Sequence, residues 1–292
     1  NTRLENVGEI ENKGFELSIS SVNIEKEDFV WSTSLSLSQN KSELISLGDG
    51  QDYIELDDVV AAGNGSPIRL VPGYPIPSFW GANNLGTYKT RNDIDTDGRF
   101  GRSFLGGPRL EDQNGDGTWN TLDYVYQGSP EPDLFGGIRN VFSYKKWTLD
   151  TFAHFSIGNT MFNGSVAESY YARGAYLNLL PELKDRWTEE NYMSDIPRAG
   201  TAFGTYVTTN ETSFQDASFF RLKNVTLTYD LDNPPFVRDA SIYVSAQNLL
   251  LISDYKWGDP EVSQYGNQLN RGVSDSSYPY SSSVSLGLNI KF

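Results

Sequence analysis

From Phe29 to Lys41 the chain reads FVWSTSLSLSQNK, and its alternation is strict. Trp31, Thr33, Leu35 and Leu37 share one parity, and Ser32, Ser34, Ser36 and Ser38 share the other. A two-residue period is the mark of a strand whose side chains point alternately to opposite faces, so this strand has one apolar and one hydroxyl face. The pattern returns in KNVTLTYDL, where Val225, Leu227, Tyr229 and Leu231 oppose Thr226, Thr228 and Asp230. It returns again at the end, where Val284, Leu286, Leu288, Ile290 and Phe292 oppose Ser283, Ser285, Gly287, Asn289 and Lys291. Less regular strands are readable at 14–24, 135–144, 147–157 and 240–252.

Two features choose between a soluble sandwich and a membrane barrel. The polar faces are built from Ser, Thr, Gly and Asn, whereas a solvated sheet face usually carries Lys and Glu. The connections are also unequal. Tight turns such as SYKKW at 143–147 and LDNPPFVRDA at 231–240 alternate with long segments at 48–65, 90–134, 158–217 and 253–281. Short turns at one end and long loops at the other are the pattern of an outer-membrane barrel. The expected fold is therefore all-β, an antiparallel transmembrane β-barrel portion of about eight to ten strands. Segment 177–187, LNLLPELKDRW, is the only helix predicted, and Pro181 limits it to a turn or two. In DASFFRLKNVTLTYDL the apolar phase slips, because Phe220 and Leu222 sit on the opposite parity from Val225 and Leu227. A β-bulge near Lys223 accounts for that, as does a strand that rises out of the membrane before the slip.

Composition narrows the chemistry. With no Cys and one histidine, His154, the 292 residues leave out thiolate metal sites and most triad or zinc-hydrolase arrangements. A net charge of -15 argues against nucleic acid. No window approaches the roughly 18 apolar residues of a transmembrane helix, but membrane strands of about 9 to 11 alternating residues do not need one. The opening NTRLENVGEI has no basic or apolar leader, so the expectation is a processed chain or part of a longer polypeptide.

Several blocks carry a family resemblance: NVGEIENKGFELSIS at 6–20, NGDGTWNTLDYVYQGSPEPDLFGGIRNVFSYKKWTLDTF at 114–152, DRWTEENYMSDIPR at 185–198, DASFFRLKNVTLTYDL at 216–231 and IYVSAQNLLLISDYKWGDPEVS at 242–263. In order and spacing they resemble the C-terminal half of SusC/RagA-type TonB-dependent outer-membrane transporters. The resemblance implies a 22-stranded barrel in the outer membrane of Bacteroidota, filled by a plug and lidded by a SusD-like surface lipoprotein. It implies import of oligosaccharides or peptides, driven through TonB by a region upstream of residue 1. On this reading residues 1–292 are the C-terminal portion of the barrel, without the plug or the first strands, and no catalysis is expected. Phe292 ends a lipid-facing strand, and the resemblance adds a terminal aromatic read during outer-membrane insertion.

EDQNGDGTWNTLD at 111–123 fits a calcium loop. Asp112, Asn114 and Asp116 fall at positions 1, 3 and 5, Gly117 at the sharp turn, Thr118 at 7, Asn120 at 9 and Asp123 at 12. Asp in place of Glu at position 12 shortens the reach, and a metal-free loop of Asx turns is the alternative. Upstream, Asp93, Asp95, Asp97 and Gly98 begin the same pattern but reach Phe104 at position 12, so a solvated turn is expected there. Asp150 and His154 share the polar parity of one strand and mark a luminal polar patch. Arg186, Trp187 and Arg198 are expected to pin a long loop by packing and salt bridges. The aromatic stretches GYPIPSFWGANN at 73–84 and ESYYARGAYLN at 168–178 are expected mostly to pack loops or form belts, and collectively to offer an outer surface for a partner or ligand. The competing function readings are a secreted, calcium-stabilised β-domain that binds carbohydrate, and a glycan hydrolase using two acidic residues.

Overall fold

The computed structural model describes residues 8–56, 66–97, 103–166, 179–199, 211–232, 237–263, 268–274 and 277–292. Its frame is one antiparallel sheet of seven long strands: β1 (Gly8–Lys26), β2 (Phe29–Leu47), β3 (Leu134–Tyr144), β4 (Trp147–Ile157), β5 (Phe219–Asp230), β6 (Asp239–Ser253) and β7 (Ser283–Lys291). They pair in sequence order as a meander, with β1 and β7 at the two edges. All-β, antiparallel and strand-by-strand, this is the expected class, with seven long strands among the described residues where about eight to ten were expected. Among the described residues no helix is long and apolar enough to cross a membrane, which leaves the strands to do so.

Register carries the alternation of each strand across the sheet, because paired residues point to the same side. Leu17, Leu37, Gly136 and Phe155 fall on one line, and Ile19, Leu35, Ile138 and Ala153 on the next. Leu149, Leu227, Val244 and Leu286 continue the same face to the other edge. This apolar face is uncovered: Leu17, Ile19, Leu227, Val244 and Leu286 are all exposed. A soluble domain would have to bury such a face, whereas lipid covers it. The opposite face carries Ser18, Ser36, Ser34, Arg139, Asp150, Thr226 and Ser245.

The phase slip in β5 is a bulge. Phe152 pairs with Asn224 and Ala153 with Leu222, so Lys223 is the extra residue, and the register with β6 breaks at the same place. The bulge puts Phe220, Leu222, Val225 and Leu227 back on one face, which reconciles their opposite parities.

The short turns lie at one end. Lys145, in the left-handed region at φ 54°, closes the turn between β3 and β4, and its N–H donates to the Asp28 carbonyl of the β1–β2 turn at 2.9 Å. On the apolar face near these turns stand Trp31, Phe142, Tyr144, Trp147 and Tyr229. Trp31 stacks on Phe142 with 5.6 Å between ring centres, and Trp147 lies 4.6 Å from Tyr229. An aromatic girdle at the edge of an apolar band is what a membrane interface selects.

At the other end the described parts of the three long connections, 48–133, 158–218 and 254–282, fold on one another. Ile54–Glu55, Ile68–Leu70, Ser78–Gly81 and Val125–Gly128 make a four-stranded sheet within the first. Thr160–Asn163 and Phe214–Asp216 of the second join Val273–Ser274 of the third in a three-stranded one. Ile68, Phe79, Phe162 and Val273, with Phe214 against them, form a core to which all three contribute. The side chains buried most completely, Phe79, Phe162, Ile68, Val273, Asn163, Asp123, Pro67 and Pro77, all belong to connections and none to the seven-stranded sheet. Among the described residues the deepest burial is in the loop lobe, and in the wall Ser42, Leu44, Ala153 and Arg221 are buried as well.

Two expectations about helices are corrected. Within 177–187 the described part is a single 3-10 turn, Pro181–Asp185; residues 177 and 178 lie outside the described residues. The one described α-helix that stands as a separate element, α1 (Arg91–Asp97), is where a solvated turn was expected. Its signal is a capping box: Thr90 Oγ1 accepts from Asp93 N–H, and Asp93 Oδ2 accepts from Thr90 N–H at 2.7 Å. The Thr90 N–H holds the Asp93 carboxyl below its ordinary value. Asp97 is buried rather than solvated, accepting from Arg109 Nε at 3.0 Å and from the Tyr88 hydroxyl at 3.1 Å. Gly98 lies outside the described residues.

Candidate functional site

The polar face of the sheet narrows into a charged patch where β4 and β5 meet the third connection. Asp150 and His154, four residues apart on β4, share that face as expected, but they do not meet. Asp150 takes a forked pair from Arg139 of β3, at 3.0 Å to Nε and 2.5 Å to Nη2. His154 Nε2 lies 2.8 Å from Glu261 Oε1 of the third connection. The imidazole is flanked by Phe152 and Phe219, with ring centres at 6.1 and 5.3 Å.

Arg221, directly opposite His154 in the register, organises the patch. Its side chain is buried, Nη2 donates to Asp259 Oδ1 at 2.5 Å, and Nε is paired with Glu261. Asp259 also accepts the N–H groups of Glu261 and Tyr280, each at 3.1 Å. The Tyr280 ring lies under both Arg221, at 5.6 Å, and Lys223, at 4.6 Å. A guanidinium with two carboxylates and an aromatic face is largely satisfied where it stands. The arrangement therefore ties the third connection to the barrel wall. Of these residues the sequence singled out His154 for the polar patch and Lys223 for the bulge. Arg221 was legible as a cation inside an otherwise apolar FFRL run, but its partners lie about forty positions away and carried no local signal.

In the acidic loop the side-chain oxygens serve the main chain. Asp112 Oδ1 accepts from Gly115 N–H at 2.7 Å and Asp116 N–H at 3.2 Å, and its Oδ2 accepts from Gly117 at 2.9 Å. Asn114 Oδ1 accepts from Asp116 N–H, and Asp116 Oδ1 from Thr118 N–H at 2.7 Å. Asp123 is buried and takes N–H groups from Gln113, Asn114 and Asn120, while Asn120 caps the 3-10 turn Thr121–Asp123. Among the described residues no three Asp, Glu or His side chains converge closely enough to hold a metal. Asp112, Asn114 and Asp116 line one turn, and Asp123 supports it from beneath.

The long-loop pin is present in altered form. Trp187 is buried against Gly106, where a β-carbon would stand 2.5 Å from the indole ring. The backbone N–H of Trp187 donates to the Ile196 carbonyl at 2.8 Å. Arg198 donates its own N–H to Gly106 and lies over the Phe104 ring at 5.7 Å, while Arg186 donates to the Leu183 carbonyl. Packing holds this loop as expected, and among the described residues its ion pair is Lys89 Nζ with Asp195 Oδ1 at 2.9 Å rather than one made by Arg186 or Arg198. In the stretch 73–84, Tyr74 and Trp80 meet Tyr126 in a cluster with ring centres 4.9 to 6.0 Å apart. The stretch 168–178 lies outside the described residues.

No protein-family model matches the chain. TonB-dependent receptor P26 of Formosa agariphila is 38% identical over 302 residues, covering all of this chain and 30% of that protein. TonB-dependent receptor SusC of Bacteroides thetaiotaomicron is 28% identical over 308 residues, covering 99% of this chain and 27% of its own length. Among solved structures, that of the RagAB peptide transporter matches with a TM-score of 0.78 at 25% identity, over 99% of this chain and 30% of that one. The chain thus spans about 30% of the length of the relatives it matches. These relatives are outer-membrane transporters of Gram-negative bacteria and not enzymes. Similar to them along its whole length, and folded into the same wall with one face for lipid, the chain belongs to the TonB-dependent receptors of the SusC/RagA type, corresponding to a C-terminal portion of them.

Proposed function

We propose that this chain supplies part of the barrel wall and an outer loop lobe to a TonB-dependent importer of oligosaccharides or peptides that works with a SusD-like lipoprotein. The observation that carries it is the division of labour between the two ends. A seven-stranded wall presents Ser, Thr and paired charges to one side, and three connections fuse above it into one packed lobe. That lobe is the part of the chain a surface lipoprotein and an incoming solute would meet. The test uses the full-length receptor, with its plug and remaining strands. It is expected to fractionate with the outer membrane, to co-purify with a lipoprotein made from a neighbouring gene, and to be required for growth on an oligosaccharide or peptide source. Growth and uptake unchanged in a deletion strain on every such source would overturn the importer reading.

The loop at 112–123 is proposed to take calcium on Asp112, Asn114, Asp116, the Thr118 carbonyl, Asn120 and Asp123. Support comes from the spacing and from a turn in which the Gly115 and Gly117 N–H groups converge on the Asp112 carboxylate. A cation would draw these side chains together and exchange some of their N–H partners for metal, since among the described residues no three of the acids converge in the turn. Terbium luminescence sensitised by the adjacent Trp119, abolished by Asp112→Asn together with Asp116→Asn, is the expected result. An unchanged signal in that double variant would return the loop to a metal-free set of Asx turns.

A further inference from the structure

On the apolar face, β1 and β2 carry charge above their apolar band, before β2 runs on to Ile45 and Leu47. Above Phe15 and Leu17 the outward positions of β1 are Lys13 and then Glu11, and those of β2 above Leu37 and Gln39 are Lys41 and then Glu43. The register sets Lys13 directly opposite Lys41 and Glu11 directly opposite Glu43. Opposed residues on neighbouring strands stand about 5 Å apart at Cβ, and like charges there repel. Swapping the order on one strand would give two cross-strand ion pairs, yet the chain stacks two cations and then two anions. The in-strand pair between Lys13 Nζ and Glu11 Oε2, at 2.6 Å, relieves only part of this. All four side chains are exposed, with Lys13 at 74%.

The height of the quartet is set by the aromatic girdle. From Trp31 to Lys41 is ten residues. At about 3.3 Å per residue and a tilt of about 40°, that is a rise of about 25 Å, the thickness of the apolar band of an outer-membrane barrel. The lysine pair therefore stands at the level of the outer headgroups, and the glutamate pair one step further out.

We propose that Lys13 and Lys41 hold a phosphate on the headgroup of an outer-leaflet glycolipid, with a divalent cation on Glu11 and Glu43 bridging to the same headgroup. Each repulsive pair is then neutralised by the ion it faces, and the cation supplies the excess positive charge that a balanced quartet would lack for an anion. The inference goes beyond the transport reading but rests on its membrane placement.

The test uses the full-length receptor, delipidated in detergent. Binding of a phosphorylated lipid A and of its dephosphorylated form is counted by native mass spectrometry, in magnesium and in EDTA. The wild type is expected to retain the phosphorylated lipid in magnesium and to lose most of it in EDTA. Lys13→Gln with Lys41→Gln is expected to bind it about tenfold more weakly, while Lys13→Arg with Lys41→Arg keeps binding. Glu11→Gln with Glu43→Gln is expected to remove the effect of EDTA. Equal binding of both lipids by the wild type, or no change in the Lys→Gln pair, overturns the site. Failure of the wild type to fractionate with the outer membrane would instead overturn the placement, and the site with it.

Discussion

Replacing Arg221 by alanine removes the cation that Asp259 and Glu261 share while leaving both acids in place. Asp259 is only 3% exposed, so it would be left as a buried charge without its partner. The expected cost is about 3–5 kcal/mol, read as a lowered thermal midpoint of the full-length receptor in detergent, with Arg221→Lys intermediate because it keeps the charge but loses the fork. Tyr255 makes a second residue-scale prediction. Burial raises its hydroxyl from 10.0 to about 12. A raised folded value means the contribution is fully present below pH 10 and is lost as pH rises to about 12, since the unfolded chain releases its proton first. The expected loss is about 2–3 kcal/mol over that window, and Tyr255→Phe should flatten the alkaline limb of the stability profile. Neither residue advertised its environment. The partners of Arg221 are brought in by the fold of the third connection, and Tyr255 lies beside Met161 and Ala217, neither of them near it in sequence.

At the scale of the strand, sequence and structure agree closely, because a two-residue period is fixed by the backbone alone and survives any tertiary context. The alternation around Leu35, the unequal connections and the slip at Lys223 were all legible for that reason. A matched pair of substitutions tests the assignment of faces. Leu35→Arg places a charge in mid-band among Ile19 and Ile138, and should cost about 2–4 kcal/mol and lower the yield of folded barrel. Ser34→Arg, one position along and on the opposite face, should cost little and instead alter uptake. Folded yield is measured by heat-modifiable migration, and the reverse order of the two variants would mean the faces are exchanged. The helix at 91–97 was missed because it is held by a capping box in a seven-residue segment too short to show a period.

For the molecule as a whole, the wall and the lobe are stabilised by different solvents. The wall needs lipid and neighbouring strands, whereas the lobe has a core of its own. Phe162→Ala empties the centre of that core, where Phe162 is 1% exposed against Ile68, Phe79 and Val273. The expected loss is about 3–5 kcal/mol, seen as protease cleavage within 48–133 and 158–218 while the strand pairs stay protected. Cleavage spread evenly over wall and lobe would show that the two do not separate. This half of the architecture was the least legible, since its core gathers single residues from segments as distant as Ile68 and Val273 with no spacing rule to connect them.

The shared core has a consequence for redesign and for divergence. If the outer surface were three independent loops, each could drift or be transplanted by itself to change what the receptor recognises. Here Phe79, Phe162 and Val273 arrive from three different connections and close one interior. A graft of any single connection from a relative would bring one third of someone else's packing. Specificity in such a lobe is inherited as a set, and successful exchanges should be those that move all three connections together.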